Sequence, residues 1–435
     1  MRGGAGRALL LFGTAFPLQL MLSGPACASG FYLQEQSVRG WGRANSGEVA
    51  DSGPGSLWWN PAANARDEES STAFGATLIL PQGRLRDEGT LLDRPGVAPI
   101  PVGGPAVMRD PIQKGLLPGS AASKRLGEGL ALGFVIASPF SFTSDYQAGG
   151  WQRYSGIRTR LFTLNLQPSV AYSPDPRISV GAALNVQYAD SFLSNALPNI
   201  APGSPDGRFE IEGRDWSFGW SAGVQLRPAS RVTVGLAYKS AITHHLKGPV
   251  EISGLVGPLA ARNLASDTVV NFSLPWQLVM GARAGLGERT TFNLQAVRFG
   301  WSKFDSLDFA APINNSIAED YKDVWSLAAG FDHALSKRLT LRAGVQLDQT
   351  PTRDSSRDAR VPDGDRVNYN IGSSFRLSHR LTLDAAASLT DIEDVPIARS
   401  ERFYAGTAAQ TDVLTAGRAA DARVFILAFG GRMVF

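Results

Sequence analysis

Leu335-Ser336-Lys337-Arg338-Leu339-Thr340-Leu341-Arg342-Ala343-Gly344-Val345-Gln346-Leu347-Asp348 returns 42 residues later as Leu377-Ser378-His379-Arg380-Leu381-Thr382-Leu383-Asp384-Ala385-Ala386-Ala387-Ser388-Leu389-Thr390. In each copy a short polar turn ends in Arg and opens a run with two distinct faces. From Arg338, one face carries Leu339, Leu341, Ala343, Val345 and Leu347, and the other Thr340, Arg342, Gly344, Gln346 and Asp348. A period of two sustained this far exceeds the ~5–6 residues usual for a soluble strand. A tilted strand crossing a bilayer needs ~9–11. Length and patterning together predict strands that cross a membrane.

Working outward, the same turn stands before Ile178, Val232 and Thr290, so its arginines (Arg177, Arg231, Arg289, Arg338, Arg380) lie 54, 58, 49 and 42 residues apart. That is the spacing of successive hairpins with a short turn on one side and a loop of variable length on the other. The long connections are expected at 190–213, 246–266, 305–322, 350–365 and 391–420. This asymmetry is that of an outer-membrane barrel; a secreted sandwich would make shorter strands with turns every 8–12 residues. Earlier strands are expected at 71–80, 112–123 and 128–138. Thirteen spans are plain, and an even count asks for one more, most simply by splitting 246–273. The expectation is an all-β, transmembrane antiparallel barrel of 14 strands over 71–435. Its last strand, with Phe425, Leu427, Phe429, Met433 and Phe435 on one face, has the form read by barrel-assembly machinery.

Composition agrees. The 435 residues carry 42 Lys+Arg against 39 Asp+Glu, 47 Gly, 26 Pro and one Cys. A net charge of +3 offers no field for nucleic acid. Past the N-terminus no run approaches the apolar length of a spanning helix. Residues 1–28 read as a signal peptide: Arg2 and Arg7, an apolar stretch from Ala8 to Leu22, then Ala26-Cys27-Ala28 before Ser29. Cleavage there removes the only cysteine, leaving a chain that no disulfide can staple. Lipidation of Cys27 is the alternative, against which Pro25 speaks.

Residues 29–70 differ from the rest. They are rich in Gly and Ser, contain Trp41, Trp58 and Trp59, and do not alternate. Such aromatics need burial, and the barrel lumen is the space available. The blocks Gly30-Phe31, Gly40-Trp41-Gly42-Arg43-Ala44-Asn45-Ser46-Gly47-Glu48 and Asn60-Pro61-Ala62, followed by Gly235-Leu236-Ala237-Tyr238-Lys239-Ser240, Trp301-Ser302-Lys303-Phe304 and Val361-Pro362-Asp363-Gly364-Asp365-Arg366, resemble the FadL/TodX-type outer-membrane channels for long-chain fatty acids and other hydrophobic compounds. The resemblance runs from Gly30 to Phe435. It implies a fourteen-stranded barrel with residues 29–70 as an N-terminal hatch, and passive transport without a cofactor.

Several sites follow. Pro139 interrupts its strand, and within sheets Pro marks an edge, a bulge or a kink. The resemblance implies a kink that opens the wall at Ser138, Pro139, Phe140 and Ser141; the alternative is a strand that simply ends there. Phe31 is expected to plug the ligand pocket, and Asn60, with Pro61 and Ala62, to fix the hatch facing that opening. The four His lack metal-ligand spacing, and Gly53-Pro54-Gly55-Ser56-Leu57 is not a nucleophile elbow. No enzyme is expected, a barrel lipase and a structural or adhesive barrel being the competing classes. Fatty-acid members hold the carboxylate with basic side chains, as the resemblance implies, yet the matching places around Asn195 and from Asn314 to Glu319 contain no Lys or Arg. Long-chain fatty acid is the expected ligand, an uncharged hydrocarbon the alternative. Outer-membrane lipids and lipopolysaccharide are the expected surroundings.

Overall fold

The computed structural model describes residues 30–67, 69–201 and 203–435; the expected signal peptide and Ser29 lie outside them. Strands β1 Ser71–Asp87, β2 Gly115–Gly127, β3 Leu130–Ala137 resuming as Ser141–Asp145, β4 Arg158–Asp175, β5 Ile178–Leu197 and β6 Gly207–Ala229 begin the wall. It continues as β7 Val232–Lys239 with Ile242–Ser253, β8 Leu264–Leu274 with Trp276–Leu286, β9 Thr290–Gly300 and β10 Val324–Ala334. β11 Leu339–Asp348, β12 Arg366–Arg376, β13 Leu381–Ile392 resuming as Val395–Phe403, and β14 Thr411–Val434 complete it. Each pairs antiparallel with its neighbour in sequence, and β1 pairs with β14 from Ser71↔Val434 to Asp87↔Gly417, closing a fourteen-stranded barrel. The additional strand does come from dividing 246–273, at the connection 254–263.

Alternation follows the two solvents. Leu341, Val345 and Leu347 of β11 are exposed toward lipid, while Arg342, Gln346 and Asp348 are buried inside. On β6 the outward residues Trp216, Phe218 and Trp220 form a wide apolar band, with Trp216 against Tyr188 of β5, an aromatic girdle of the kind that marks a membrane interface.

Three expected loops are largely strand. Residues 190–197 and 207–213 belong to β5 and β6, 246–253 to β7, and 395–403 with 411–420 to β13 and β14. The physical reason is an inversion of polarity above the girdle. There the outward side chains are Arg208, Glu212, Arg214 and Lys247, and the inward ones are Leu193, Phe209, Ile211, Leu246 and Val250. Beyond the bilayer the wall meets water outside and builds an ordinary apolar core inside. The charges outside had read as loop.

Residues 30–67 fill the interior. They form one helical turn, Val38–Trp41, capped by the Ser37 hydroxyl, and two 3-10 turns, Glu48–Ala50 and Pro54–Ser56. Inward amides reach them from around the wall: Gln295 Oε1 accepts from Val49 N (2.9 Å), Gln225 Nε2 donates to Asp51 O (2.7 Å), and Asn370 Nδ2 to Trp41 O (2.8 Å). The strands make room with glycines. A Cβ on Gly372 would lie 2.6 Å from Gly42 Cα, and one on Gly181 2.5 Å from the Pro61 carbonyl.

Candidate functional site: a break in the wall beside an aromatic cluster

Pro139 stops β3 at Ala137, and the strand resumes at Ser141. Pairing between β2 and β3 runs only as far as Ser120↔Ile136. It returns above as the single bridge Ile112↔Ser144, with Gln113 N donating to Thr143 O (3.0 Å). Between these points the β2 residues Gly115–Gly119 pair with β1 alone, which leaves an interruption in the wall. A Cβ on Gly119 would meet nothing nearer than Gln36 O at 3.7 Å. The break of β3 stays fastened to β4 through hydroxyls instead of ladder bonds. Ser138 Oγ donates to Thr163 O (2.5 Å), Thr163 N donates to Ser141 Oγ (3.3 Å), and Thr163 Oγ1 accepts from Phe140 N (3.0 Å). Freed backbone groups thus keep partners, as a low-dielectric wall demands.

The interruption stands at the girdle. Ala137 pairs with Asn165 and Ser141 with Phe162 of β4. Leu164, between them, pairs with Tyr188 of the aromatic band, and Phe162 with Asp190 of the charged zone above.

From inside, residues 31–33 cover the break. Tyr32 bridges to Phe140, Leu33 N donates to Pro139 O (2.7 Å), and Ser141 N donates to Phe31 O (3.3 Å). The Phe31 ring, 1% exposed, packs against Trp301, Phe304 and Phe142 at centroid distances of 4.9, 5.2 and 5.4 Å. Above it the inverted strands supply a packed apolar cluster with Phe209, Leu246, Phe272 and Phe309. The sequence had set Phe31 and Ser138–Ser141 apart; the fold brings them into contact.

Asn60, Pro61 and Ala62 lie elsewhere, which corrects the expectation that Asn60 faces the break. Asn60 Nδ2 donates to Val49 O (2.8 Å) and to Val224 O of β6 (3.2 Å), while its Oδ1 accepts from Ala62 N (2.9 Å). The turn is pressed on Gly181 of β5 and Gly223 of β6. Asn60 does fasten the segment by amide hydrogen bonds, but to this other stretch of wall. Sequence reading also missed Thr163, and it missed the ionic knot around Arg43. That guanidinium, 0% exposed, pairs with Glu48, with Asp51 (2.6 Å) and, across to β10, with Asp332 (3.2 Å). The available signal was a cluster of charges, Glu35, Arg39, Arg43, Glu48 and Asp51, around a Gly-Trp-Gly-Arg block otherwise rich in small and apolar residues. Beside the knot, a cavity of about 40 Å³ lined by Ser37, Arg39, Gly75, Asp384 and Arg432 has room for a few waters and no more.

A lipid-facing band, a closed wall and a filled lumen define an integral barrel of the outer-membrane channel class. The chain belongs to the family described as "Outer membrane protein transport protein (OMPP1/FadL/TodX)", matching it over residues 19–432. It is similar to the "Long-chain fatty acid transport protein" of Escherichia coli O6:H1, with 23% identity over 88% of this chain and 91% of that one. It is also similar to "Outer membrane protein P1" of Haemophilus influenzae, with 24% identity over 84% and 86%. Among solved structures, a Pseudomonas aeruginosa FadL homologue superposes with a TM-score of 0.81 at 22% identity, covering 93% of this chain and 99% of that one. The Pseudomonas putida toluene transporter TodX gives 0.65 at 14%, covering 94% and 99%. This protein is therefore a transporter of hydrophobic compounds in the outer membrane of a Gram-negative cell, and not an enzyme.

Proposed function

We propose that the protein takes up long-chain fatty acids or similar hydrophobic compounds passively and releases them sideways through the break at Ser138–Ser141. Residues 29–70 act as the hatch and Phe31 as the plug that withdraws. The observation carrying this reading is that Phe31–Leu33 hydrogen-bond to the broken strand while the Phe31 ring packs into the apolar cluster behind it. One movement of those three residues uncovers both the pocket and the wall. Energetics favour the lateral route. A C16 chain gains on the order of ten kcal/mol on leaving water, at ~0.8 kcal/mol per CH2. Discharge into periplasmic water would have to return that amount, whereas discharge into lipid returns none of it. Contact with lipopolysaccharide at the charged zone and insertion by barrel-assembly machinery complete the reading.

Uncharged aromatic hydrocarbons are the second reading, favoured by the absence of Lys and Arg around Asn195 and from Asn314 to Glu319 and by the similarity to a toluene transporter. Uptake of labelled oleate and of toluene by cells whose only such transporter is this protein separates the two. Gly119→Leu tests the route, because the side chain, set on the stretch of β2 without a β3 partner, points inward toward Gln36 O behind the break without a backbone clash. Uptake should fall at least about tenfold while the purified variant still binds ligand. Uptake by Gly119→Leu at the wild-type rate would refute lateral release.

A further inference from the structure

We propose that Lys239 is an anion-binding group of the transport path, holding the carboxylate of a monoanionic amphiphile; this rests on the transport reading above and names its substrate class. Lys239 ends the lower half of β7 and points inward, 6% exposed. Its Nζ has no hydrogen-bond acceptor and forms no ion pair among the described residues. The buried cations Arg43, Arg342 and Arg360 all pair with carboxylates. What faces Lys239 Nζ is the ring of Trp58, 2.8 Å from its centroid. An indole face returns only part of what an ammonium loses with its water. A stronger counter-charge is missing.

The surroundings define what would supply it. Lys239 sits in register with Ser221 of β6 and with Gln277 of β8, whose Oε1 also lacks a partner. Along the same row Gln277 pairs with Phe299 and Phe299 with Val324, both of the apolar cluster that contains Phe31. Trp58 is tethered to residues 31–33 by its Nε1 donating to Tyr32 OH (3.0 Å), and the Tyr32 ring packs, tilted, against Phe140 and Phe299 at 5.2 and 5.0 Å. Withdrawal of residues 31–33 therefore takes away the tether of the one ring that covers the ammonium. One ammonium matches a single carboxylate with a charge-assisted hydrogen bond, and the neighbouring Gln277 Oε1, an acceptor like the carboxylate itself, takes no part in holding the anion. A phosphomonoester would bring a second negative charge with nothing to meet it. The aromatic row beside Gln277 takes the hydrocarbon tail.

The test is binding of oleate and of oleyl alcohol, which share a tail and differ in the head, to purified full-length protein in detergent. The ratio of the two affinities should fall at least tenfold in Lys239→Met and be largely restored in Lys239→Arg. A ratio that Lys239→Met leaves unchanged overturns the assignment while the transport reading stands. Failure of wild type to bind either ligand overturns that reading first. Should Lys239→Met not fold, wild-type protein treated with oleate and a water-soluble carbodiimide is expected to carry the oleoyl amide on Lys239, read by peptide mass spectrometry. Acylation confined to exposed lysines such as Lys247 would overturn the proposal equally.

Discussion

Arg43→Met tests whether the ionic knot keeps the lumen shut. The substitution keeps an unbranched stem of nearly the same bulk and removes the charge. Asp332 would retain Arg342 (2.6 Å) and Arg283 (3.3 Å), and Asp51 would retain Arg39 (2.9 Å) and Arg283 (3.1 Å). Glu48 would keep only the Ser56 hydroxyl (2.7 Å). Its side chain is 0% exposed, and stripping one partner from a buried ion pair costs about 3–5 kcal/mol. Referred to the proposed equilibrium between seated and displaced hatch, that is a shift of roughly two to three and a half orders of magnitude. Single-channel recording in planar bilayers reads the displaced state directly, and heat-modifiable migration checks that the barrel is intact. Open events should rise at least about a hundredfold in Arg43→Met. The double variant Arg43→Met/Glu48→Gln, which also removes the stranded charge, should return most of the way to wild type, as two residues coupled through one contact do. Wild-type gating in an intact Arg43→Met barrel would refute the reasoning, and so would a double variant as leaky as the single.

Gly181→Val puts a side chain 2.5 Å from the Pro61 carbonyl, an overpacking worth ~1–3 kcal/mol; limited proteolysis should cut residues 50–67 faster in this variant, and an unchanged cleavage rate would show that the turn does not press on β5. A pH dependence is expected at the far end of β13. Burial, helped by the Asp358 carboxylate and opposed by Arg399 and Arg360, pushes the Glu401 carboxyl up to about 7. The folded form holds its proton more tightly than an unfolded carboxyl does, so its stabilisation is complete below about pH 4 and is lost as pH rises through 7. Hydrogen exchange over 395–411, corrected for intrinsic rates, should therefore be faster at pH 8 than at pH 5, and Glu401→Gln should flatten the difference.

How much could be read in advance depends on which solvent each face meets. β11 is legible residue by residue, because lipid tolerates only apolar groups on Leu341, Val345 and Leu347 while the lumen takes Arg342, Gln346 and Asp348. The rule fails where its premise does. At Arg208–Arg214 the outside is water and the inside is greasy, so a strand with Phe209 and Ile211 buried looks like a charged loop. The site was half legible. Pro139 announces a break by its missing N–H, and Phe31 announces burial, but neither says that they meet. Asn60 was misplaced because what receives it is Gly181 and Gly223, residues whose message is the absence of a side chain. Thr163 and Lys239 look in sequence like any inward polar residue of a barrel strand, and only the missing or unusual partners set them apart.

On the proposed lateral route, the inversion of polarity also accounts for the level at which the break lies. Below the girdle the lumen side of the wall is polar, with Asn165, Asn185, Gln187 and Ser221 buried there, so an apolar solute finds no favourable surface farther down. Above the girdle the lumen is apolar and the outside is charged, so an apolar solute meets a barrier at Arg160, Asp190 and Arg214, which pair among themselves. Only at the level where the two patterns change over, between Leu164 and Phe162, is an apolar interior separated from an apolar exterior by the wall alone. Ser138–Ser141 break the ladder at that level. Moved down the strand, the break would join a polar lumen to lipid; moved up, it would join an apolar interior to water. Each displacement would set a barrier of the size of the transfer energy that brings the ligand in, and the break sits where that barrier vanishes.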